Sequence, residues 1–327
     1  MSLKSKPCLF LVLILSFLIF SSCKTEKMLY VSTSFHEPAN EGLRFIYSRD
    51  GINWDSIPGI WLKPTLGNQR VMRDPSVVCD PKGVYHLVWT TSWKGDLGFG
   101  YAKSTDLIHW SEPKMIQVMK NEPTTINVWA PEIFYDDEQK EFVVVWSSCI
   151  PNRFSKGIED EDNNHRLYYI TTKDFDTISE TKLLFDPGYS SIDGTIVKRG
   201  KSDYVLVFKD NTRPNRNIKV AFSKSATGPY SGDGPAFTES YTEGPTVEKV
   251  NKDYLIYFDA YRNFNYGAVK TRDFVKFTDI TNEVSVPKGH KHGTMFTVPK
   301  AVVQGLIKQS ATYLKNSTDS RTASNVK

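Results

Sequence analysis

The chain has 327 residues, a formal net charge of +4 and a hydrophobic fraction of 39%. This length is sufficient to bury a large core in one domain or two. The lysines and arginines are spread along the chain without a basic run, which argues against a nucleic-acid partner. Aromatic residues make up 13% of the sequence, and we expect most of them to fill the core of a β-rich fold.

The chain begins with the features of a bacterial lipoprotein signal. Lys4 and Lys6 form a basic region, and residues 8–20 form an apolar run that is too short to span a membrane comfortably. Two serines and then Cys23 follow, and small residues before a cysteine resemble a lipobox. We therefore predict that residues 1–22 are a lipoprotein signal peptide. An ordinary secretory signal with an incidental cysteine is the alternative.

Lipidation makes Cys23 the first residue of the mature protein in this interpretation. Residues 23–28 then form a short tether that holds a soluble domain at a membrane surface. We expect an exported protein of the periplasm or the cell surface, which contacts the membrane only through its lipid anchor. Cys79 and Cys149 remain in the domain, and we expect them to be buried free thiols, with a single disulfide as the alternative.

A short pattern recurs along the rest of the chain. A lead residue is followed by an apolar strand, a turn and a second strand that opens on an aromatic residue. Eleven positions separate the lead and aromatic residues in four copies: Asp74 and Tyr85, Pro131 and Phe142, Asp193 and Tyr204, and Glu243 and Tyr254. His292 begins a fifth, partial copy. Two further strands follow most copies, so the unit has four strands and recurs about every 50 residues, which is typical of a β-propeller.

The two ends of the chain complete one unit between them. Residues 30–54 form a unit without its lead strand, and residues 292–303 form a lead strand without its unit. We therefore predict an all-β fold, a five-bladed β-propeller over residues 29–306, closed by pairing of the N- and C-terminal segments. Residues 307–327 are rich in Ser, Thr and Asn, and we expect a poorly ordered polar tail.

Three lead residues are carboxylates. The first strand of each propeller blade lines the central channel, so Asp74, Asp193 and Glu243 are expected to face one another. Converging carboxylates separate their pKa values, which suits general acid–base chemistry. The alternative is that each caps a turn or binds a structural ion. Glu132 follows the lead position Pro131 by one residue, which predicts that it points to the opposite face and has a structural role.

Four motifs in this order resemble glycoside hydrolase family 43: Arg73-Asp74-Pro75, Trp129-Ala130-Pro131-Glu132, Ser191-Ile192-Asp193 and Glu243-Gly244-Pro245. The resemblance implies that Asp74 is the general base, Glu243 the general acid, and Asp193 the residue that raises the pKa of the acid and orients it. It also implies inversion of the anomeric centre, with the acid and base carboxyl groups about 6.5–9.5 Å apart. No cofactor is required for this chemistry.

The resemblance also implies an axial histidine, which is His292 here. Such a histidine contacts a bound cation or its water molecules in some members, so a structural Ca²⁺ in the central channel is an expectation. A histidine bonded only to backbone or water is the alternative. Loops after second strands should rim the pocket, and the candidate substrate-binding residues there are Trp93, His36, Arg262 and Phe35, together with Trp129 of the second motif. A solvated polar rim is the alternative for these loops.

The sequence thus predicts a monomeric, exo-acting inverting glycosidase for terminal pentose or furanose residues of plant or microbial polysaccharide. An α-L-arabinofuranosidase is the first expectation, and galactofuranosidase, β-xylosidase and β-galactosidase are alternatives within the family. A retaining fructosidase is disfavoured because the sequence lacks an Asn-Asp-Pro-Asn motif. A non-catalytic surface propeller that binds glycans is the alternative of another class.

Overall fold

The computed structural model describes residues 27–263 and 265–324. The predicted signal peptide and the lipidation site Cys23 lie outside the described residues. Within these two ranges, no helix combines the length and the hydropathy that are needed to cross a bilayer.

Five antiparallel sheets form a five-bladed β-propeller, as predicted. Blade one contains β4 (Arg73–Cys79), β5 (Tyr85–Thr90), β6 (Gly98–Ser104) and β7 (Lys114–Gln117). Blade two contains β8 (Trp129–Asp136), β9 (Glu141–Cys149), β10 (His165–Thr172) and β11 (Lys182–Phe185), with a short 3₁₀ helix, η1 (Glu161–Asn163), before β10. Blade three contains β12 (Ser191–Gly200), β13 (Asp203–Asp210) and β14 (Asn217–Ser223). Blade four contains β15 (Glu243–Val250), β16 (Asp253–Ala260), β17 (Asn265–Thr271) and β18 (Phe277–Asp279).

The fifth blade joins the two ends of the domain. It contains β1 (Met28–Ser34), β2 (Arg44–Ser48), β3 (Trp54–Ile57) and β19 (Met295–Pro299). β19 pairs with β1 in antiparallel register from Met28 opposite Pro299 to Ser32 opposite Met295. The predicted closure is therefore confirmed. It ties β19, the innermost strand of this blade, to the N-terminal strand, so the inner edge of β1 is paired.

The recurring Ser/Thr-x-Asp pattern near the ends of third strands forms tight turns. Oδ1 of Asp106 accepts hydrogen bonds from the backbone N–H groups two and three residues further along the chain, at 2.9 and 2.8 Å. Asp50, Asp174 and Asp273 make equivalent bonds. An aspartate side chain that satisfies its own backbone in this way fixes the turn locally. The sequence repeat therefore has a direct structural cause.

The core lies between neighbouring blades. Trp89 of blade one and Trp146 of blade two are fully buried. One apolar cluster joins Val88 and Tyr101 to Phe142 and other residues of blade two, and each remaining pair of adjacent blades shares a comparable cluster. Burying one large apolar side chain stabilises the fold by about 1.5–3 kcal/mol. This interlocking holds the first strands in a fixed ring around the channel.

The C-terminal segment differs from the prediction. Helix α1 (Lys300–Ser324) covers residues that were expected to form a poorly ordered tail, so that prediction is wrong for residues 307–324. Val303 and Leu306 are three residues apart on the helix and are buried against Val31 and Leu107 of the propeller. The polar composition was misleading because one short apolar face is sufficient to dock the helix.

Both described cysteines are free. Cys149 is buried, as expected, and its thiol lies 2.7 Å from the backbone oxygen of Glu161. Cys79 is exposed, so the expectation of burial is wrong for this residue. It is the last residue of β4, beyond the part of the strand that the neighbouring blades cover.

Candidate active site

A β-bulge in the first strand of four blades shapes the channel mouth. The pairing with the second strand skips two residues in blades one to four. The first skipped residue has a left-handed backbone in each case: Asp74 (φ 52°), Ala130 (φ 45°), Asp193 (φ 54°) and Gly244 (φ 59°). Aspartate tolerates this conformation better than most residues do, and bulges commonly re-aim side chains beside active sites.

The bulges show that the predicted register is wrong in two blades. Gly244 is the residue equivalent to Asp74 and Asp193, and Glu243 precedes it by one position. A Cβ atom on Gly244 would lie 2.1 Å from the ring of His292, so no carboxylate fits at that position. In blade two, Ala130 rather than Pro131 is equivalent to Asp74. Glu243 nevertheless reaches the same pocket as the two aspartates.

Glu132 faces the channel, contrary to the prediction that it points to the opposite face. Faces cannot be counted from Pro131, because Ala130 and Pro131 form the bulge and regular pairing resumes only at Glu132. Its Oε2 accepts a hydrogen bond of 2.9 Å from the Thr294 hydroxyl. Burial raises the pKa of Glu132 to about 7, against the lowering effect of the Ser76 and Thr294 hydroxyls. Glu132 also lines a small cavity of about 20 Å³ together with Asp74, Asp193 and His292, which is sufficient for one water molecule.

A pocket of about 100 Å³ adjoins this cavity and shares four lining residues with it. The structure brings together there the three predicted catalytic carboxylates, His292 and two of the predicted substrate-binding residues. The lining residues are Arg73, Asp74, Thr90, Trp93, Trp129, Ala130, Ile192, Asp193, Glu243 and His292.

Asp74 is held as a carboxylate. Oδ2 accepts a hydrogen bond of 2.9 Å from the Thr90 hydroxyl, which in turn accepts one of 2.8 Å from the backbone N–H of Ala130. Oδ1 lies 2.8 Å from Nε2 of His292. Burial alone would raise the pKa of Asp74, but the charge and hydrogen bond of His292, with the charge of Arg73, outweigh it and lower the pKa. A general base needs this deprotonated state.

His292 carries the complementary charge. Burial alone would lower its pKa, but the carboxylates of Asp74, Asp193 and Glu243 outweigh burial and raise the pKa of His292 to about 9. Its ring also meets the edge of Phe35, with the centroids 6.3 Å apart. His292 is therefore an imidazolium at neutral pH, and it holds Asp74 in position through an ion pair.

Glu243 has a partner that the sequence analysis did not find. Nζ of Lys209, a residue of β13 that is only 2% exposed, lies 2.8 Å from Oε2 of Glu243. Burial would raise the pKa of Glu243, but the charges of Lys209 and His292 outweigh it and lower the pKa. Lys209 directly follows the apolar residues of β13. A lysine within a buried strand is the sequence signal that could have identified it.

Asp193 has the opposite shift. Its Oδ2 accepts a hydrogen bond of 3.0 Å from the backbone N–H of Gly244, which connects it to the residue after Glu243. Burial and the negative charges of Glu243 and Asp74 raise the pKa of Asp193, and they outweigh the effects of His292 and Lys209. The surroundings thus favour the neutral form of Asp193 and the charged form of Glu243.

A second buried ion pair lies beside Glu243. Asp259 of β16 stands directly opposite Glu243 in the strand register, and its Oδ2 lies 2.9 Å from Nζ of Lys291. Burial raises the pKa of Asp259, and Lys291 opposes that rise. Glu243, Asp259 and His292 place potential metal-ligating atoms within 4.8 Å of one another.

These residues do not fit the calcium ion that was expected near His292. Ca²⁺ requires six to eight oxygen ligands. Here the two carboxylates of the cluster are each bonded to a lysine, and the third member is an imidazole paired with Asp74. The donor set is therefore short of oxygen atoms, and fixed positive charges lie at the point where a cation would bind.

Trp93 and Trp129 form one wall of the pocket. Trp93 is 44% exposed, and its ring meets that of Trp129 edge to face with the centroids 5.7 Å apart. The indole N–H of Trp129 donates a hydrogen bond of 2.8 Å to the backbone oxygen of Trp93. The guanidinium of Arg73 lies 4.0 Å from the centre of the Trp93 ring. The wall therefore presents aromatic surface with a fixed orientation.

The other three predicted substrate-binding residues lie outside the pocket lining. Phe35 is buried behind it, with the Arg73 guanidinium 4.8 Å from its ring centre. His36 packs against His290 with the ring centroids 4.5 Å apart. The guanidinium of Arg262 lies 3.1 Å from the ring centre of Tyr241 and borders a separate cavity. A role for these three in binding substrate remains a prediction.

Residues 26–303 match the profile of a family related to glycoside hydrolase family 43, described as "Probable glycosyl hydrolase domain". The chain belongs to this family. An α-L-arabinofuranosidase of Bifidobacterium longum is 27% identical over 206 residues, in a match that covers 52% of this chain and 19% of that protein. The chain thus matches about a fifth of the length of this relative.

Solved structures show the same fold at low identity. A family 43 arabinoxylan arabinofuranohydrolase from Bacillus subtilis is 13% identical, with a TM-score of 0.59 over 80% of this chain and 65% of the other. An α-L-arabinofuranosidase from Clostridium thermocellum is 12% identical, with a TM-score of 0.56 over 80% of this chain and 92% of the other. The family 43-related domain therefore has the propeller architecture of these enzymes.

Proposed function

We propose that this protein is an inverting, exo-acting glycoside hydrolase that removes terminal pentose or furanose residues, with α-L-arabinofuranosides as the first expected substrates. The observation that carries the proposal is the convergence of Asp74, Asp193 and Glu243 on one pocket, with their pKa values moved in different directions. Paired carboxylates with distinct protonation states are the machinery of glycoside hydrolysis.

In this proposal Asp74 removes a proton from a water molecule as that water attacks the anomeric carbon. Glu243 donates a proton to the leaving glycosidic oxygen, and Asp193 orients Glu243 through the backbone of Gly244. The reaction leaves Asp74 protonated and Glu243 deprotonated. Asp74 then releases its proton to solvent and Glu243 takes one up, so the net reaction consumes one water molecule and restores the site. Proton transfer by positioned groups of this kind typically accelerates a reaction by about 10²–10⁴-fold.

Glu243 must gain a proton before it can act as the acid. Its pairing with Lys209 disfavours that state in the ligand-free site. We infer that substrate entry, which expels water and places a glycosidic oxygen beside Glu243, moves the proton from Asp193 to Glu243. The two carboxyl groups interact strongly, so they titrate as a pair and a small change in surroundings transfers the proton between them.

The shape of the pocket supports exo action. Its small volume of about 100 Å³ and the wall of Trp93 and Trp129 favour a single terminal sugar at the carboxylates. The named relatives support arabinofuranosides, and galactofuranosides, β-xylosides and β-galactosides are the alternatives. A panel of nitrophenyl glycosides of these sugars tests the proposal. Glycan binding without hydrolysis of any of them would instead support a non-catalytic binding propeller.

We also propose that the protein is an exported lipoprotein that acts as a monomer on oligosaccharides or polysaccharides at a membrane surface. The support is the basic and apolar N-terminal segment that ends at Cys23. Mass spectrometry of the mature N-terminus tests this proposal. The expected result is a diacylglyceryl group on Cys23 in the wild type and its loss in Cys23→Ser.

A further inference from the structure

Three carboxylates around the active site, two of them buried and that of Glu243 partly buried, each have one cationic partner. The pairs are Asp74 with His292 at 2.8 Å, Glu243 with Lys209 at 2.8 Å, and Asp259 with Lys291 at 2.9 Å. Buried charges are stable only when they are paired and hydrogen-bonded. The three pairs therefore neutralise these three carboxylates with side chains alone.

The two lysines come from the blades on either side of blade four. Glu243 and Asp259 are cross-strand partners in that blade. Lys209 reaches Glu243 from blade three, where it is 2% exposed and lies opposite Ile192 in the sheet. Lys291 reaches Asp259 from blade five, where its backbone N–H donates a hydrogen bond of 2.9 Å to the Phe35 oxygen. Both ammonium groups are therefore positioned by the framework of the propeller.

Glu243, Asp259 and His292 place their potential ligand atoms within 4.8 Å of one another. Among the described residues, this is the one group with the spacing of a metal site. A divalent ion at that point would have to displace both ammonium groups from their carboxylates, and it would still stand beside two lysines and an imidazole. Like charges so close together disfavour binding. The same ammonium groups already supply the neutralisation that a metal ion would bring.

We propose that Lys209 and Lys291 are the built-in cations of this active site and take the place of a divalent metal ion. The site is then complete without calcium. Removing one ammonium group leaves a carboxylate uncompensated beside the other potential ligands, and we expect that change to create a cation site. The inference deepens the proposed function because it concerns the same pocket, but its main tests do not depend on turnover.

The experiment compares ion binding by the wild type and by lysine variants of the full chain. After treatment with EDTA, CaCl₂ is added while the melting temperature is recorded, and Tb³⁺ luminescence sensitised by the nearby tryptophans reports binding directly. The wild type is expected to show neither a shift in melting temperature nor luminescence up to about 1 mM ion, the weak end of protein calcium sites. Lys291→Met is expected to gain both responses.

Two control variants separate charge from other effects. Lys291→Arg keeps the positive charge and should remain unresponsive. Lys288→Met removes an exposed lysine three residues away and should behave as the wild type does. If Lys291→Met does not fold, Lys209→Met replaces it, since that change exposes the other carboxylate of the pair. Folding of either variant is checked by near-ultraviolet circular dichroism.

Calcium binding by the wild type, with a melting temperature that falls in EDTA and recovers with Ca²⁺, would overturn the inference. It would also be overturned if both methionine variants fold and neither responds to Ca²⁺ or Tb³⁺. A wild type that ignores calcium but hydrolyses no glycoside would instead count against the proposed function alone. The two failures are therefore distinguishable.

Discussion

Nε2 of His292 lies 2.8 Å from Oδ1 of Asp74. This ion pair connects the segment before β19, in blade five, to β4 of blade one. Both oxygens of Asp74 are engaged, because Oδ2 accepts the Thr90 hydroxyl. Each carboxylate oxygen has a second lone pair, so Asp74 can still accept a hydrogen bond from an attacking water molecule. The contact therefore fixes the direction of the proposed base without blocking it.

Replacement of Asp74 by Asn should abolish most of the activity. The amide keeps the shape of the side chain and can still bond Thr90, but it cannot remove a proton from water. We expect kcat to fall about 10²–10⁴-fold with an unchanged circular dichroism spectrum, measured on the best nitrophenyl glycoside of the panel. A variant that keeps wild-type kcat would show that Asp74 is not the base.

Replacement of Glu243 by Gln should affect substrates according to their leaving groups. A nitrophenolate leaves without a proton, whereas a sugar hydroxyl needs one, so the loss should be much larger for an oligosaccharide than for the nitrophenyl glycoside. The ratio of kcat/KM between wild type and variant on the two substrates measures this. Equal losses on both would contradict the role of Glu243 as general acid.

Lys209 should set the alkaline limb of the pH–rate profile. It lowers the pKa of Glu243, so Lys209→Met should raise that pKa and move the alkaline limb of kcat/KM to higher pH. Lys209→Arg keeps the charge and should leave the limb near its wild-type position. A limb that stays in place in the methionine variant would mean that Glu243 does not govern it.

The stability of the fold should decrease as pH rises from about 6.5 to about 9. The folded-state pKa of His292 is raised to about 9, above the value of about 6.5 for an unfolded histidine. Its stabilising contribution is therefore complete below pH 6.5 and is lost as pH rises through 9, by at most about 1.4 kcal/mol per pH unit. Urea unfolding at several pH values measures this slope, which His292→Gln should reduce. An unchanged slope in the variant would contradict the assignment.

The five blades and their closure were predictable because the repeat is local. Each unit carries its own strands and its own aspartate turn, such as that of Asp106, so the pattern is visible within a short window of sequence. The closure was predictable because the chain begins with a unit that lacks its first strand and ends with a first strand that lacks its unit. The pairing of β1 with β19 confirms this prediction.

The register of the site was less predictable because the hairpins differ in length. From the bulge residue to the aromatic residue, the spacing is eleven in blades one and three, twelve in blade two and ten in blade four. The sequence analysis assumed a constant spacing of eleven residues in every blade. It therefore missed that Glu243 precedes the bulge position by one residue, and it assigned Glu132 to the wrong face. In blade four, the ring of His292 also leaves no room for a side chain at Gly244, and this contact joins residues far apart in sequence.

Lys209 and Lys291 were missed for a related reason. Each looks like an ordinary charged residue at a strand end, and only the arrangement of the blades brings them to Glu243 and Asp259. The helix α1 was missed because composition does not show where a short apolar face will dock. In both cases the deciding contacts lie between distant segments.

The configuration of the first-formed product tests the central claim most directly. Proton NMR of the wild-type reaction on an α-L-arabinofuranoside, followed before mutarotation, identifies the anomer that is released. An inverting mechanism with Asp74 activating water predicts the β-anomer as the first product. Initial release of the α-anomer would contradict the mechanism, because it requires a covalent intermediate on a carboxylate.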